Sequence, residues 1–179
     1  MLSPALIFWC VYSKKELMEI IREHEISEKS DVDFDEQRIV RGALSFSDQT
    51  VAQIMTPRAG IYALDINRIL DEETLQEIKK EGFTRIPVYE GHINNMVSML
   101  YVKNLINVKI GTKIRDICSK SARLIVLKEE KLDYLLDIFI RSKMHLAIVQ
   151  NIHNEVEGVV SLENVLEEII KREIIDETD

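Results

Sequence analysis

Cysteine is nearly absent from this chain: there are two in 179 residues, Cys10 and Cys118, far apart. That excludes a disulfide framework and a CxxC metal motif, and a reducing compartment fits best. The four histidines, His24, His92, His145 and His153, are scattered. None stands in a zinc-like spacing, so they read as surface or capping residues. Positive charge is in deficit. Lysine and arginine number 23 against 31 carboxylates, a net charge of −8, which argues for solubility and against a nucleic-acid partner. Long hydrophobic runs are missing too. The longest, residues 4–12 (PALIFWCVY), is far short of the roughly twenty residues of a spanning helix. No basic stretch precedes it, as a signal peptide would require. The chain as given is therefore expected to carry no transmembrane segment; the run either packs on the rest or is the cut end of something larger. No nucleophile–base pair, phosphate-cradling glycine loop or HExxH pattern is present, which reads as a protein that is not an enzyme.

What the sequence does have is internal repetition. Residues 50–108 and 112–170 can be laid over each other. Val51, Ile54 and Met55 match Ile114, Ile117 and Cys118, each set opening its copy on a short turn of helix. Ile61-Tyr62-Ala63-Leu64 matches Leu124-Ile125-Val126-Leu127, and Ile86-Pro87-Val88-Tyr89 matches Leu146-Ala147-Ile148-Val149. Met99 to Leu105 matches Val159 to Val165, which sets Lys103-Asn104 against Glu163-Asn164. A period near sixty residues is too long for a short-repeat solenoid. Two copies of one small unit imply a pseudo-twofold module with a cleft where they meet, a common place for a ligand.

Before the repeats, Ser13-Lys14-Lys15-Glu16 reads as a capping box opening a helix over 13–25. Asp33-Phe34-Asp35-Glu36 opens a second, with Ile39, Val40, Ala43, Leu44 and Phe46 as its apolar side. Thr50-Val51-Ala52-Gln53 is a third box, ended by Pro57. Within the copies, helices are expected over 71–81, stopped by Gly82, and over 131–141. The apolar runs 86–89, 96–100, 146–149 and 156–160 read as buried strands, with loops at 90–95 and 151–154. The fold class is α+β: two small sheets with packing helices, preceded by a helical linker. The acid-rich end, from Glu167 to Asp179, reads as a helix running into a solvated linker rather than as a Mg2+ site.

Four linked stretches resemble a tandem pair of cystathionine-β-synthase (CBS) domains, a Bateman module, of the CorC/cyclin M (CNNM) branch. They are Val51-Ala52-Gln53-Ile54-Met55-Thr56-Pro57-Arg58, Gly82-Phe83-Thr84-Arg85-Ile86-Pro87-Val88-Tyr89, His145-Leu146-Ala147-Ile148-Val149, and the stretch from Gly158 to Ile170. The resemblance spans about 50–174 and implies a linker over 1–48, CBS copies over 49–110 and 111–174, and an acidic linker at 175–179. It also implies a homodimer on the cytoplasmic side of a membrane domain that moves magnesium or another divalent cation. The expected ligand is an adenine nucleotide, ATP with Mg2+ or AMP/ADP. The alternative is a structural dimerisation module with a weakened or lost nucleotide site.

Carried over motif by motif, the resemblance implies nucleotide contacts from Thr56, Phe83, Thr84, Arg85, Ile86, Ser161 and Asn164. Phe83 and Ile86 would sandwich the base. Thr56 and Ser161 offer hydroxyls, and Arg85 a donor fork for phosphate. Plainer readings stand beside these. Ser161 to Asn164 has the form of an ordinary helix cap, Phe83 and Ile86 suit a core, and Arg85 suits a carboxylate partner. Asn164 stands where the family usually has aspartate, and Asn104 matches it in copy one. Losing a charged acceptor costs about 1 kcal/mol, or roughly tenfold in affinity. Tyr101 is large where Ser161 is small, so one site per chain is expected, with copy one's own cleft blocked.

Overall fold

The computed structural model describes residues 11–26, 31–118 and 123–172; the apolar residues 4–10 and the acidic 173–179 lie outside the described residues. Two helices lead in. Helix α1 (Lys14–Ile26) opens on the Ser13–Glu16 box, where Ser13 N–H donates to Glu16 Oε2 at 2.7 Å and Glu16 N–H donates back to Ser13 Oγ at 3.3 Å. Helix α2 (Phe34–Ser45) opens on the Asp33–Glu36 box, with the same two bonds at 3.0 and 2.8 Å. Short helix α3 (Val51–Ile54) starts at Thr50, whose N–H donates to Gln53 Oε1 at 2.8 Å. These boxes satisfy N–H groups that a helix start leaves bare.

Copy one continues with β1 (Thr56–Pro57), β2 (Leu64–Asp65), α4 (Glu72–Glu81), β3 (Arg85–Glu90), β4 (His92–Tyr101) and a 3-10 turn at Val102–Leu105. Copy two holds α5 (Ile114–Ile117), β5 (Ile125–Leu127), α6 (Leu132–Ser142), β6 (Leu146–Gln150), β7 (Val156–Ser161) and α7 (Leu162–Ile170). Asp71 caps α4 by accepting from Thr74 N–H at 2.8 Å, and Gly82 ends it at φ 73°, a left-handed position that suits glycine.

One sheet runs β2-β3-β4 and the other β1-β7-β6-β5. Strand β1 belongs to copy one in sequence, yet it pairs antiparallel with β7 of copy two, Thr56 opposite Val159 and Pro57 opposite Gly158. Helix α3 follows it across. Val51 is fully buried with Val126, Leu132, Leu135 and Phe139, and its N–H donates to Glu130 O at 2.9 Å. The exchange is reciprocal. Ile114 of α5 is buried with Leu64, Ile78, Ile86 and Leu100 of copy one, and its N–H donates to Arg68 O at 2.9 Å. The opening turn of each copy thus completes the other copy's core. A third cluster, Met96 and Ile148 with Val156, packed by Ile61 and Tyr89, draws on both copies and seals the pseudo-twofold interface.

Two expectations are corrected. Residues 92–95 belong to β4, not to a loop: the turn is confined to Gly91, and Glu90 already faces His92. Register shifts on either side of Tyr89 absorb the additional residues as bulges. In α2 the buried residues are Gln37 and Gly42, while Ile39 and Val40 stand 42% and 38% exposed. The reason is close approach to α7. A Cβ on Gly42 would lie 1.8 Å from the Ile169 carbonyl oxygen, so the face bearing glycine is the one that can pack. Arg38 Nε then donates to Ile170 O at 3.0 Å, satisfying a carbonyl at the end of α7.

Candidate ligand cleft

Because β1 crosses to β7, Thr56 of copy one lies beside the start of α7. Between the copies opens a cleft of about 730 Å³, a size suited to a small ligand. Six of the seven expected residues line it: Thr56, Phe83, Thr84, Arg85, Ser161 and Asn164. Ile86 does not. It is 0% exposed, opposite Leu100 in the β3–β4 ladder and within copy one's core. The expected sandwich of Phe83 and Ile86 is therefore not formed: Arg85 and Pro87 of β3 line the cleft, and Ile86 between them points to the opposite face of the strand.

Phe83 is instead backed by Tyr62, with ring centroids 6.2 Å apart and planes 26° from parallel, an offset stack. Phe83 remains 48% exposed in the cleft, an aromatic surface left for a partner. The Tyr62 hydroxyl is buried near Glu77, with no partner in hydrogen-bonding geometry among the described residues. Burial first, and the Glu77 charge second, push its pKa up to about 12. That group stays protonated, and the ring is what it contributes to the cleft.

Ser161 and Asn164 form a reciprocal cap on α7. Asn164 N–H donates to Ser161 Oγ at 3.1 Å, while Asn164 Oδ1 accepts from Ser161 N–H at 3.0 Å and from Ser161 Oγ at 3.1 Å. The capping reading is thus realised, and it uses the one acceptor oxygen that asparagine has. Replacing Ser161 by alanine is expected to cost about 1 kcal/mol of stability, read as a shifted urea midpoint at unchanged slope. An unchanged midpoint would show that the cap contributes nothing.

Arg85 Nη1 sits 3.3 Å from Thr84 Oγ1 and 4.0 Å from Glu163 Oε1, its side chain 30% exposed and the glutamate's 49%. A loose, half-exposed pair of this kind is worth at most about 1 kcal/mol, so a phosphate can compete for the guanidinium. The cleft also contains Tyr62, Tyr101, Lys103, His145 and Glu163, which the motif reading missed. For Lys103 and Glu163 the signal was available: they occupy the same place in the two copies. Among the described residues no group of three or more metal-ligating side chains comes together, and no helix is long and apolar enough to cross a membrane.

No protein-family model matches the chain. A curated relative, the metal transporter cnnm-1 of Caenorhabditis elegans, is 34% identical over 94% of this chain. A solved CBS domain of the bacterial CNNM/CorC family Mg2+ transporter superposes with a TM-score of 0.78 at 27% identity, covering 93% of this chain and all of that one. The chain is a tandem CBS-domain pair of the CNNM/CorC family. Another solved CBS domain of the bacterial family, in complex with ATP, matches this CBS pair with a TM-score of 0.70 at 27% identity, covering 76% of this chain and 98% of that one. The CBS pair spans 22% of the length of the C. elegans transporter.

Proposed function

We propose that this CBS pair is the cytosolic regulatory module of a magnesium or divalent-cation transporter, switched by an adenine nucleotide bound between its copies. One observation carries the reading: six residues from separate stretches of sequence line one cleft, with chemistry matched to the parts of a nucleotide. The bare face of Phe83 suits a purine. Thr56 and Ser161 offer hydroxyls to ribose or phosphate. Arg85, loosely held by Glu163, suits a phosphate. Mg2+ would arrive with the phosphates and offset repulsion from the chain's net charge of −8. The ATP complex of a related CBS domain supports the ligand class.

The same geometry supplies a route outward. Helix α7 begins at the cleft with Ser161 and ends against α2 through Gly42 and Arg38. A nucleotide that binds one arrangement of the copies better than another biases that arrangement. Through α7 and α2 the bias would reach a dimer contact and the membrane domain that the full protein carries.

Asn164 tests the ligand. Its oxygen is taken by the cap, so what it offers a ribose is chiefly Nδ2, 3.4 Å from Glu167 Oε2. Asn164→Asp supplies a second, charged acceptor while keeping the cap. Calorimetry with MgATP, ATP, ADP and AMP is expected to show wild-type binding and roughly tenfold tighter binding by the variant. Equal affinities would remove Asn164 from the ligand site. The commitment of that oxygen to the cap favours a second reading, a dimerisation module without a nucleotide; dimers in sedimentation that bind none of the four ligands would support it.

A further inference from the structure

We propose that Lys103 is the specificity-determining residue of the cleft, the cation that makes it prefer a polyphosphate to a monophosphate. The inference rests on the nucleotide reading above and deepens it. Its starting point is a charge reversal between the copies: Lys103-Asn104 holds in copy one the place that Glu163-Asn164 holds in copy two. Pseudo-symmetry folds both positions onto the same cleft. Its charged lining is then Arg85 and Lys103 against the single carboxylate of Glu163. In a chain of net charge −8, a cleft with an excess of cations is a local inversion, and such a site attracts anions.

The two full cations differ in what holds them. Arg85 has Glu163 at 4.0 Å, so part of its charge is already answered. No carboxylate lies within 4.0 Å of Lys103 among the described residues. Its Nζ stands 5.7 Å from the centroid of the Tyr101 ring. An aromatic face steadies an ammonium without neutralising it, so the charge remains available to a ligand.

The backbone fixes where that charge sits. Arg85 is opposite Tyr101 in the β3–β4 ladder, and Val102 N–H donates to Thr84 O at 3.0 Å. Lys103 therefore leaves the sheet beside Thr84 and Arg85, at the end of the cleft where those polar groups gather. A first phosphate has Arg85 and the hydroxyls. Lys103 answers the further charge of a longer chain, as a compact, mobile ammonium suits.

Lys103→Met keeps an unbranched stem against Tyr101 and removes only the charge, and Lys103→Arg restores it. By calorimetry, Lys103→Met is expected to weaken MgATP roughly tenfold and to leave AMP within about twofold, with Lys103→Arg close to wild type. Equal loss for ATP and AMP, or no loss for ATP, overturns the proposal while leaving the nucleotide reading intact. If the wild type binds neither nucleotide, that reading fails, and inorganic tripolyphosphate decides this one. Binding by the wild type that Lys103→Met loses supports Lys103 as a polyphosphate anchor. Absence of wild-type binding, or binding that Lys103→Met retains, overturns it.

Discussion

Gly158→Ala is expected to destabilise the protein by about 3 kcal/mol and to weaken any ligand held in the cleft, although it adds a single methyl group. Gly158 lies in β7 opposite Pro57 of β1. A Cβ there would stand 2.4 Å from the Thr56 carbonyl oxygen and 3.0 Å from Met55 Sδ. The sulfur ends a flexible side chain and can move; the carbonyl oxygen is backbone and cannot rotate aside. Strand β1 is only two residues long, so its cheapest response is to lift from β7. That opens a wall of the cleft, because Thr56 is part of the lining. In copy one the same place holds Ser98, 4% exposed. The requirement for glycine thus comes from β1 and not from the strand conformation. Urea unfolding would read the stability and calorimetry the ligand. Wild-type values in both would mean that β1 does not hold its place on β7.

Gly42→Ala sets two effects against each other. Alanine is the better helix former by about 1 kcal/mol, so propensity alone predicts a gain. The steric term opposes it and is larger. The three atoms nearest the new Cβ are all backbone: the Ile169 oxygen at 1.8 Å, its carbon at 2.7 Å and the Glu168 oxygen at 3.2 Å. Helix α2 must move off α7, losing the bond from Arg38 to Ile170 O. The expected net loss in local stability is about 2 kcal/mol. Hydrogen exchange should show faster exchange across 34–45, with the strands β6 and β7 unchanged. Protection in α2 that equals the wild type's would show that the approach relaxes without cost. The same variant probes the regulatory reading, since α2 is the element by which α7 would reach the rest of a transporter.

Most of what was legible beforehand is local in sequence. The caps at Ser13, Asp33, Thr50 and Ser161 depend on residues three apart, and a helix start always leaves N–H groups to satisfy. The repeat was visible because two like units bury like faces. Its strands at Ile86 and Ile148 are apolar because they are buried. The motif residues Thr56, Phe83 and Ser161 were legible through their resemblance to CBS pairs and meet in the cleft.

The tertiary structure alone decided the rest. Nothing local says that Val51 completes the core around Phe139 while Ile114 completes the one around Leu64; that exchange is a choice between two nearly equivalent partners, settled by packing. Ile86 turned inward, away from the cleft, and Tyr62 backs the Phe83 ring, because the direction of Ile86 follows the register of the β3–β4 ladder. Helix α2 turned its glycine, not its isoleucine, to α7, because closeness of approach outweighed the apolar pattern. The sequence by itself determined two like units, their caps and the chemistry of one motif set. Only the fold decided that the copies exchange their opening turns and that β1 pairs with β7, since position across a pseudo-twofold axis is a property of packing and not of spacing along the chain.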